Sequence, residues 1–185
     1  MARIPLVSKQ AVVENEQAAF DDFANARGGP PHIGPYSIIA HMPQLAQRLE
    51  SLRLYIRAEE SLSQKLQELV MITVAREMDC EFIWYAHAQA ARENGVRDDI
   101  VDNTRERAKL IDLDDDEQAV VNFACELLQN RKVSQPTFDV ATARFGQRGT
   151  MTLTNLIACY AVLAYNMNTY ELAAPAHATE KALPK

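Results

Sequence analysis

Between Glu68 and His87 the chain reads ELVMITVAREMDCEFIWYAH, and this stretch limits what the rest can fold into. Apolar residues recur at helical spacing on either side of a break near Asp79, which predicts the end of one helix and the start of a second. On the first helix Glu68 shares a stripe with Met71, Ile72 and Ala75. On the second, Cys80, Ile83, Trp84 and His87 fall on one face. A carboxylate on an apolar stripe is costly to bury unless a donor meets it. If the two helices pack as a hairpin, His87 is the candidate donor. The plainer outcome is a Glu68 that turns to solvent or pairs with Lys65.

The remaining segments are also helical in pattern, without enough alternation to propose a sheet, so the expected class is all-α with about seven helices. Residues 1–35 read as an arm followed by a first helix over 11–26, with Val12, Ala19, Phe20 and Phe23 at helical spacing. ARGGPPHIGP, from Ala26 to Pro35, is a loop by its Gly and Pro content. It offers the polar tips of His32 and Tyr36 beside it, and His41 lies just before the next helix. Pro43 suits the first turn of that helix, which runs to about Ala58 with Leu45, Leu49, Leu52 and Tyr55 expected inside. Ser61 and Gln64 have capping-box spacing, with Ser63 a competing cap, before a helix over 64–78 that is apolar on two sides. Asp79 is expected to cap the next helix, placing Cys80 in its first turn, where the helix dipole favours thiolate. Asn94-Gly95 ends it. A short helix over 97–109 follows, with Asp98 as a cap. The acidic run DLDDDE opens another that reaches Asn130, with Val120, Phe123, Ala124 and Leu127 inward. Ser134 can cap a helix over 136–145, and Gly146 and Gly149 flank a break. The last helix, 150–172, has a thick apolar coat suited to the core or a subunit contact. Residues 173–185 are expected to be a flexible tail, with His177 exposed.

With 185 residues the chain suits one domain with a short arm. A net charge of −6 argues against a broad nucleic-acid footprint. MARIPLVSKQ lacks the apolar core of a signal peptide, and the longest apolar run, near Ile157 to Ala164, is too short to span a bilayer. Neither a nucleic-acid nor a membrane partner is therefore expected. Cys80, Cys125 and Cys159 are three in number with no close pair, which fits free thiols in a reducing cytoplasm.

The joint spacing is more informative than any one residue. Glu68, eleven residues, Cys80, six residues and His87 resemble the Glu-x11-Cys-x2-Cys-x3-His motif of the carboxymuconolactone decarboxylase family, which includes the alkylhydroperoxidase D-like proteins. Ile83 stands where the second Cys would be, and CEFIWYAH is similar to the single-cysteine branch. The likeness extends to GPYSIIAHMPQLAQRL, to Arg3–Pro5 and to YNMN at Tyr165–Asn168. It implies an alkylhydroperoxidase D-like helical bundle over residues 36–172. It also implies a homo-oligomer, a trimer or hexamer, acting on a small molecule.

In family members with two cysteines the Glu–His relay activates the second Cys. With Ile83 at that position, no Cys-x-x-Cys disulfide can form in the motif. Cys80 and His87 would lie roughly 10 Å apart along a helix axis. General acid–base chemistry therefore ranks first. His87 would be the acid/base, Glu68 its orienter, and Trp84 and Ile83 pocket walls, with His41 and Tyr36 as further substrate contacts and Cys80 a polar lining residue of the catalytic set or a vestige. By resemblance, the substrate is a small carboxylate or lactone-type compound and the reaction that of a lyase. The runner-up is a single-cysteine hydroperoxide reductase, in which Cys80 is oxidised to sulfenic acid and reduced by an outside thiol. A non-catalytic oligomeric binding protein is the third reading. Glu68, Cys80 and His87 make a poor, mixed ligand set, so no metal is expected, and no other cofactor is called for.

Overall fold

Every residue from Leu66 to Arg76 is buried, and the other elements are arranged round the helix that carries them. The computed structural model describes residues 2–174 and 179–184, so the expectation for His177 lies outside the described residues. Eight α-helices and two 3-10 turns are present among them, with no strand. In chain order these are α1 Gln17–Ala26, α2 Tyr36–Ile39, α3 Pro43–Arg57 and α4 Gln64–Glu77, then α5 Glu81–Glu93, α6 Asp98–Glu106, α7 Asp115–Asn130 and α8 Gln135–Thr169. The central helix α4 packs against α5, α6, α7 and α8, and α3 lies across α1 and α8. Two-sided apolarity is what a helix needs to sit between layers in this way.

Local chemistry sets the ends of these helices. Ser63 takes the N-cap of α4, its hydroxyl accepting the Leu66 amide at 3.3 Å. DLDDDE opens α7 as a reciprocal capping box. The Asp114 carboxylate accepts the Glu117 amide at 2.8 Å, and that of Glu117 accepts the Asp114 amide at 2.9 Å. Gly146, at φ 66°, kinks α8 where the break was expected, a conformation open to glycine without strain.

The α4–α5 break differs from the expectation in its mechanism. Asp79 does not cap α5; Cys80 occupies the N-cap position and makes no side-chain cap. Asp79 instead closes α4 in the left-handed region, at φ 47°. The Cys80 amide donates to Ala75 O at 2.8 Å and the Asp79 amide to Arg76 O at 3.2 Å. These are the two bonds of a Schellman motif. The Asp79 carboxylate is held by Arg76 and by Arg107, the latter at 3.1 Å.

Two further expectations are corrected. Leu45, Leu52 and Tyr55 of α3 are exposed, whereas Ala46 and Ile56 are buried and Glu50, Arg53 and Arg57 are half-buried. Of this inward charged stripe, Arg57 pairs with the buried Glu68 of α4, while Glu50 pairs with Arg53 and Arg27. Residues 180–182, within the segment expected to be a flexible tail, are tied back. Lys181 O accepts the Trp84 indole N–H at 3.0 Å, Ala182 O accepts Arg105 Nε at 2.7 Å, and Glu180 pairs with Arg92 at 3.0 Å.

A β-branched residue at the left-handed position should weaken the α4–α5 hinge. Asp79→Val is expected to lose about 1–2 kcal/mol from backbone strain, with loss of its two ion pairs in addition. Urea denaturation measures it; an unchanged midpoint would show that the turn does not depend on this residue.

Candidate active site

Glu68 lies one turn into α4 and is 3% exposed. Its two oxygens have different partners. His87 Nδ1, from α5, lies 2.8 Å from Oε2, and Arg57 Nη2, from the last turn of α3, donates to Oε1 at 2.9 Å. The hairpin made by the Asp79 turn is what brings His87 back over Glu68. Lys65, the competing cation, is engaged elsewhere, at 2.8 Å from Glu117 and 3.2 Å from Asp114.

A carboxylate can only accept, so in the neutral imidazole the proton sits on Nδ1 and Nε2 carries the lone pair. Nε2 has no protein partner among the described residues. The ring lines a cavity of about 480 Å³ together with Ile83, Tyr36, Tyr160, Phe82 and Arg53. Tyr160 meets the imidazole edge-on, with ring centroids 5.1 Å apart, and its hydroxyl is 3.4 Å from Arg57 Nη1. Burial pushes the Tyr160 phenol up, so it stays neutral. Fixed tautomer, an open Nε2 and a mostly apolar cavity together are a means of moving one proton on or off a bound molecule.

The other candidates divide. Ile83 and Tyr36 line the cavity. Trp84 does not: it is fully buried in the core and its indole N–H is spent on Lys181 O. His41 does not either, because its Nε2 lies 3.0 Å from Pro5 O and holds the N-terminal arm. Cys80 is fully buried and away from the cavity lining. The helix dipole was expected to favour its thiolate, yet burial outweighs the Ile83 and Phe82 amides and pushes the thiol up to about 11. Arg57 and Tyr160 were missed from sequence. The signal for Arg57 was the Glu50–Arg53–Arg57 spacing, three charges on one helix face. Tyr160 looked like any other apolar residue of α8.

These features can be set beside known proteins. The Carboxymuconolactone decarboxylase family model matches residues 43–126, which include Glu68, Cys80 and His87. No curated protein sequence matches the chain. Among solved structures, the chain is similar to an alkylhydroperoxidase AhpD core, a peroxidase-related protein from Ralstonia eutropha JMP134. That match has TM-score 0.70 and 14% identity, covering 95% of this chain and 93% of that one. It is also similar to the debrominase Bmp8, as a Cys-to-Ala variant in complex with 2,3,4-tribromopyrrole, with TM-score 0.69, 16% identity and coverage of 95% and 92%. A protein of unknown function from Agrobacterium tumefaciens matches with TM-score 0.66, 13% identity and coverage of 73% and 93%. At these identities the likeness is one of fold, an AhpD-like helical bundle.

Burial of the thiols predicts how stability varies with pH. Cys80 and Cys125 are both raised from 9.0 to about 11, each chiefly by burial. Within that window the unfolded chain releases protons that the folded chain keeps. Their contribution is therefore complete below the window and is lost as pH rises through it. Denaturation midpoints are expected to fall across the window, with a shallower slope in the Cys80→Ala/Cys125→Ala double variant. An equal slope in that variant would assign the fall to other groups.

Proposed function

We infer that this chain, which carries the carboxymuconolactone decarboxylase family segment at residues 43–126, uses that segment for general acid–base chemistry. Its substrate is a small carboxylate or lactone-type ring compound. The observation that carries the reading is the 2.8 Å contact between His87 Nδ1 and the buried Glu68 carboxylate, at the wall of the cavity. His87 Nε2 takes or delivers the proton. Glu68 holds the ring and its tautomer, and Arg57 neutralises Glu68 so that the pair can sit out of water. The finer assignment, a lyase that breaks a carbon–carboxylate bond, rests on the family segment together with this proton relay. A cavity of about 480 Å³ suits a ring-sized molecule. The complex of Bmp8, a protein of this fold, with 2,3,4-tribromopyrrole is in keeping with such an occupant.

The single-cysteine hydroperoxide reading asks for a reachable thiolate. Cys80 is buried with its thiol pushed up, and these facts weigh against it. The three unpaired thiols support a cytoplasmic setting.

Assembly belongs to the same proposal. Met151, Asn155, Ala158, Val162 and Tyr165 are exposed on α8 at alternating spacings of four and three, the repeat of a helix–helix seam. Leu52 and Tyr55 of α3 border the same groove as Met151 and Asn155. We place a second copy of the chain there, in a trimer or hexamer. Among the described residues no helix is long and apolar enough to cross a membrane, so this apolar coat is not a membrane span.

Two measurements test these statements. Carbon dioxide release and substrate loss can be followed over a panel of small carboxylic acids and lactones. There His87→Ala should lose about 10²–10⁴-fold in turnover, while Cys80→Ser keeps most of it. Loss in Cys80→Ser, with Cys80 the first thiol oxidised by peroxide, would favour the reductase. No turnover of any kind would favour the binding protein. Light scattering at micromolar concentration should give a multiple of the chain mass; a monomer would contradict the seam.

A further inference from the structure

The cavity contains a second polar cluster that the proton relay does not use. Glu50 of α3 receives Arg27 on Oε1 and Arg53 Nε on Oε2, the latter at 2.7 Å, so both its oxygens are occupied. The two arginines are not. Arg53 spends only Nε, and its two terminal nitrogens have no acceptor among the described residues. Arg27 spends only Nη1 and lays its guanidinium over the Tyr36 ring at 4.8 Å. Both arginines line the cavity with His87, and among the described residues no acidic side chain does. The Tyr36 hydroxyl points to the same unfinished site. Tyr36 is 4% exposed and lines the cavity; its buried oxygen makes no hydrogen bond of good geometry among the described residues, although Glu50 and Arg53 lie close enough to interact with it.

Such a cluster is costly as it stands. Two guanidinium charges face one carboxylate in a partly buried place, and a phenol beside them is poorly served by that same carboxylate. Each deficit calls for the same thing, one anionic acceptor. We propose that Arg53, Arg27 and Tyr36 form a recognition subsite for a single carboxylate of the substrate, with Glu50 setting the charge so that a monoanion is preferred to a dianion. The proposal deepens the acid–base reading for a substrate whose one carboxylate is retained, such as a carboxy-lactone, rather than for loss of that carboxylate, and it rests on that reading for the identity of the cavity as the reaction site. One carboxylate neutralises the excess charge of the cluster. A second would remain unpaired among Ile33, Phe82, Ile83 and Leu163, which supply apolar wall. Arg53 and Arg27 present planar forks, the geometry a carboxylate accepts in two parallel bonds. Anchoring the anion here leaves the ring body to extend along the apolar wall towards His87. The subsite thus selects the substrate and orients it, and the chemistry stays with the imidazole.

Titration calorimetry on the full chain tests this with three probes of similar size: benzoate, phthalate and benzamide. Benzoate should bind about tenfold or more tightly than benzamide, the worth of charge-assisted bonds. It should also bind more tightly than phthalate, and more weakly as salt is raised. Arg53→Met should lower benzoate affinity about tenfold, and Arg27→Met should lower it too. Glu50→Gln should shift the preference towards phthalate, because a second positive charge is released. Thermal melts of each variant establish folding, and the wild-type salt and probe series needs no variant. His87→Gln should still bind benzoate, so loss of turnover there speaks to the acid–base reading and not to the subsite. Benzamide binding as tightly as benzoate, undetectable benzoate binding at millimolar concentration, or unchanged binding in folded Arg53→Met would each overturn the proposal.

Discussion

The buried Glu68 carboxylate, divided between a guanidinium and an imidazole, is the interaction on which the rest depends. At 3% exposure it cannot rely on water, and removing one partner of such a buried pair costs about 3–5 kcal/mol. Both partners come from other helices, so the carboxylate ties α3 and α5 to α4. It also sets conditions on distant parts of the chain. α5 must fold back over α4, which the left-handed Asp79 and its Schellman bonds bring about. α3 must turn its charged stripe inward, which places Arg57 at Glu68 and, one turn earlier, Arg53 at the cavity, with Glu50 holding Arg53 from behind. The site is in this sense a consequence of satisfying one charge.

The inward turn of α3 has an outward counterpart. Because Glu50, Arg53 and Arg57 occupy the inner face, Leu52 and Tyr55 emerge on the outer one, beside the exposed seam of α8. A helix that turns its polar residues inward has apolar ones left for its surface, the face on which the proposed second copy would sit. The position of the imidazole and the apolar outer surface are then two results of the same orientation of α3.

Much of this was legible in the sequence because it is local. The α4–α5 hairpin, the acidic opening of α7, the break at Gly146 and the meeting of Glu68 with His87 follow from spacing and turn chemistry. What was not legible is long-range or competitive. On α3 both the apolar and the charged stripe have helical period, and periodicity does not say which faces in. Leu45, Leu52 and Tyr55 were assigned by hydrophobicity, and the need to pair Glu68 overrode it. Trp84 shares a face with His87, but that face spans core and cavity. Its indole N–H found an acceptor nearly a hundred residues away, in a segment that carries no periodic signal at all. For Cys80 two effects of opposite sign act at one helix end. Only the coordinates show that burial, rather than the dipole, decides.

Nitrogen-15 NMR of the imidazole tests the central claim most directly. If Glu68 fixes the ring, neutral His87 should show a protonated Nδ1 and an unprotonated Nε2, and Glu68→Gln should relax that preference towards a mixture. A neutral His87 with its proton on Nε2, or the same spectrum in both proteins, would contradict the account.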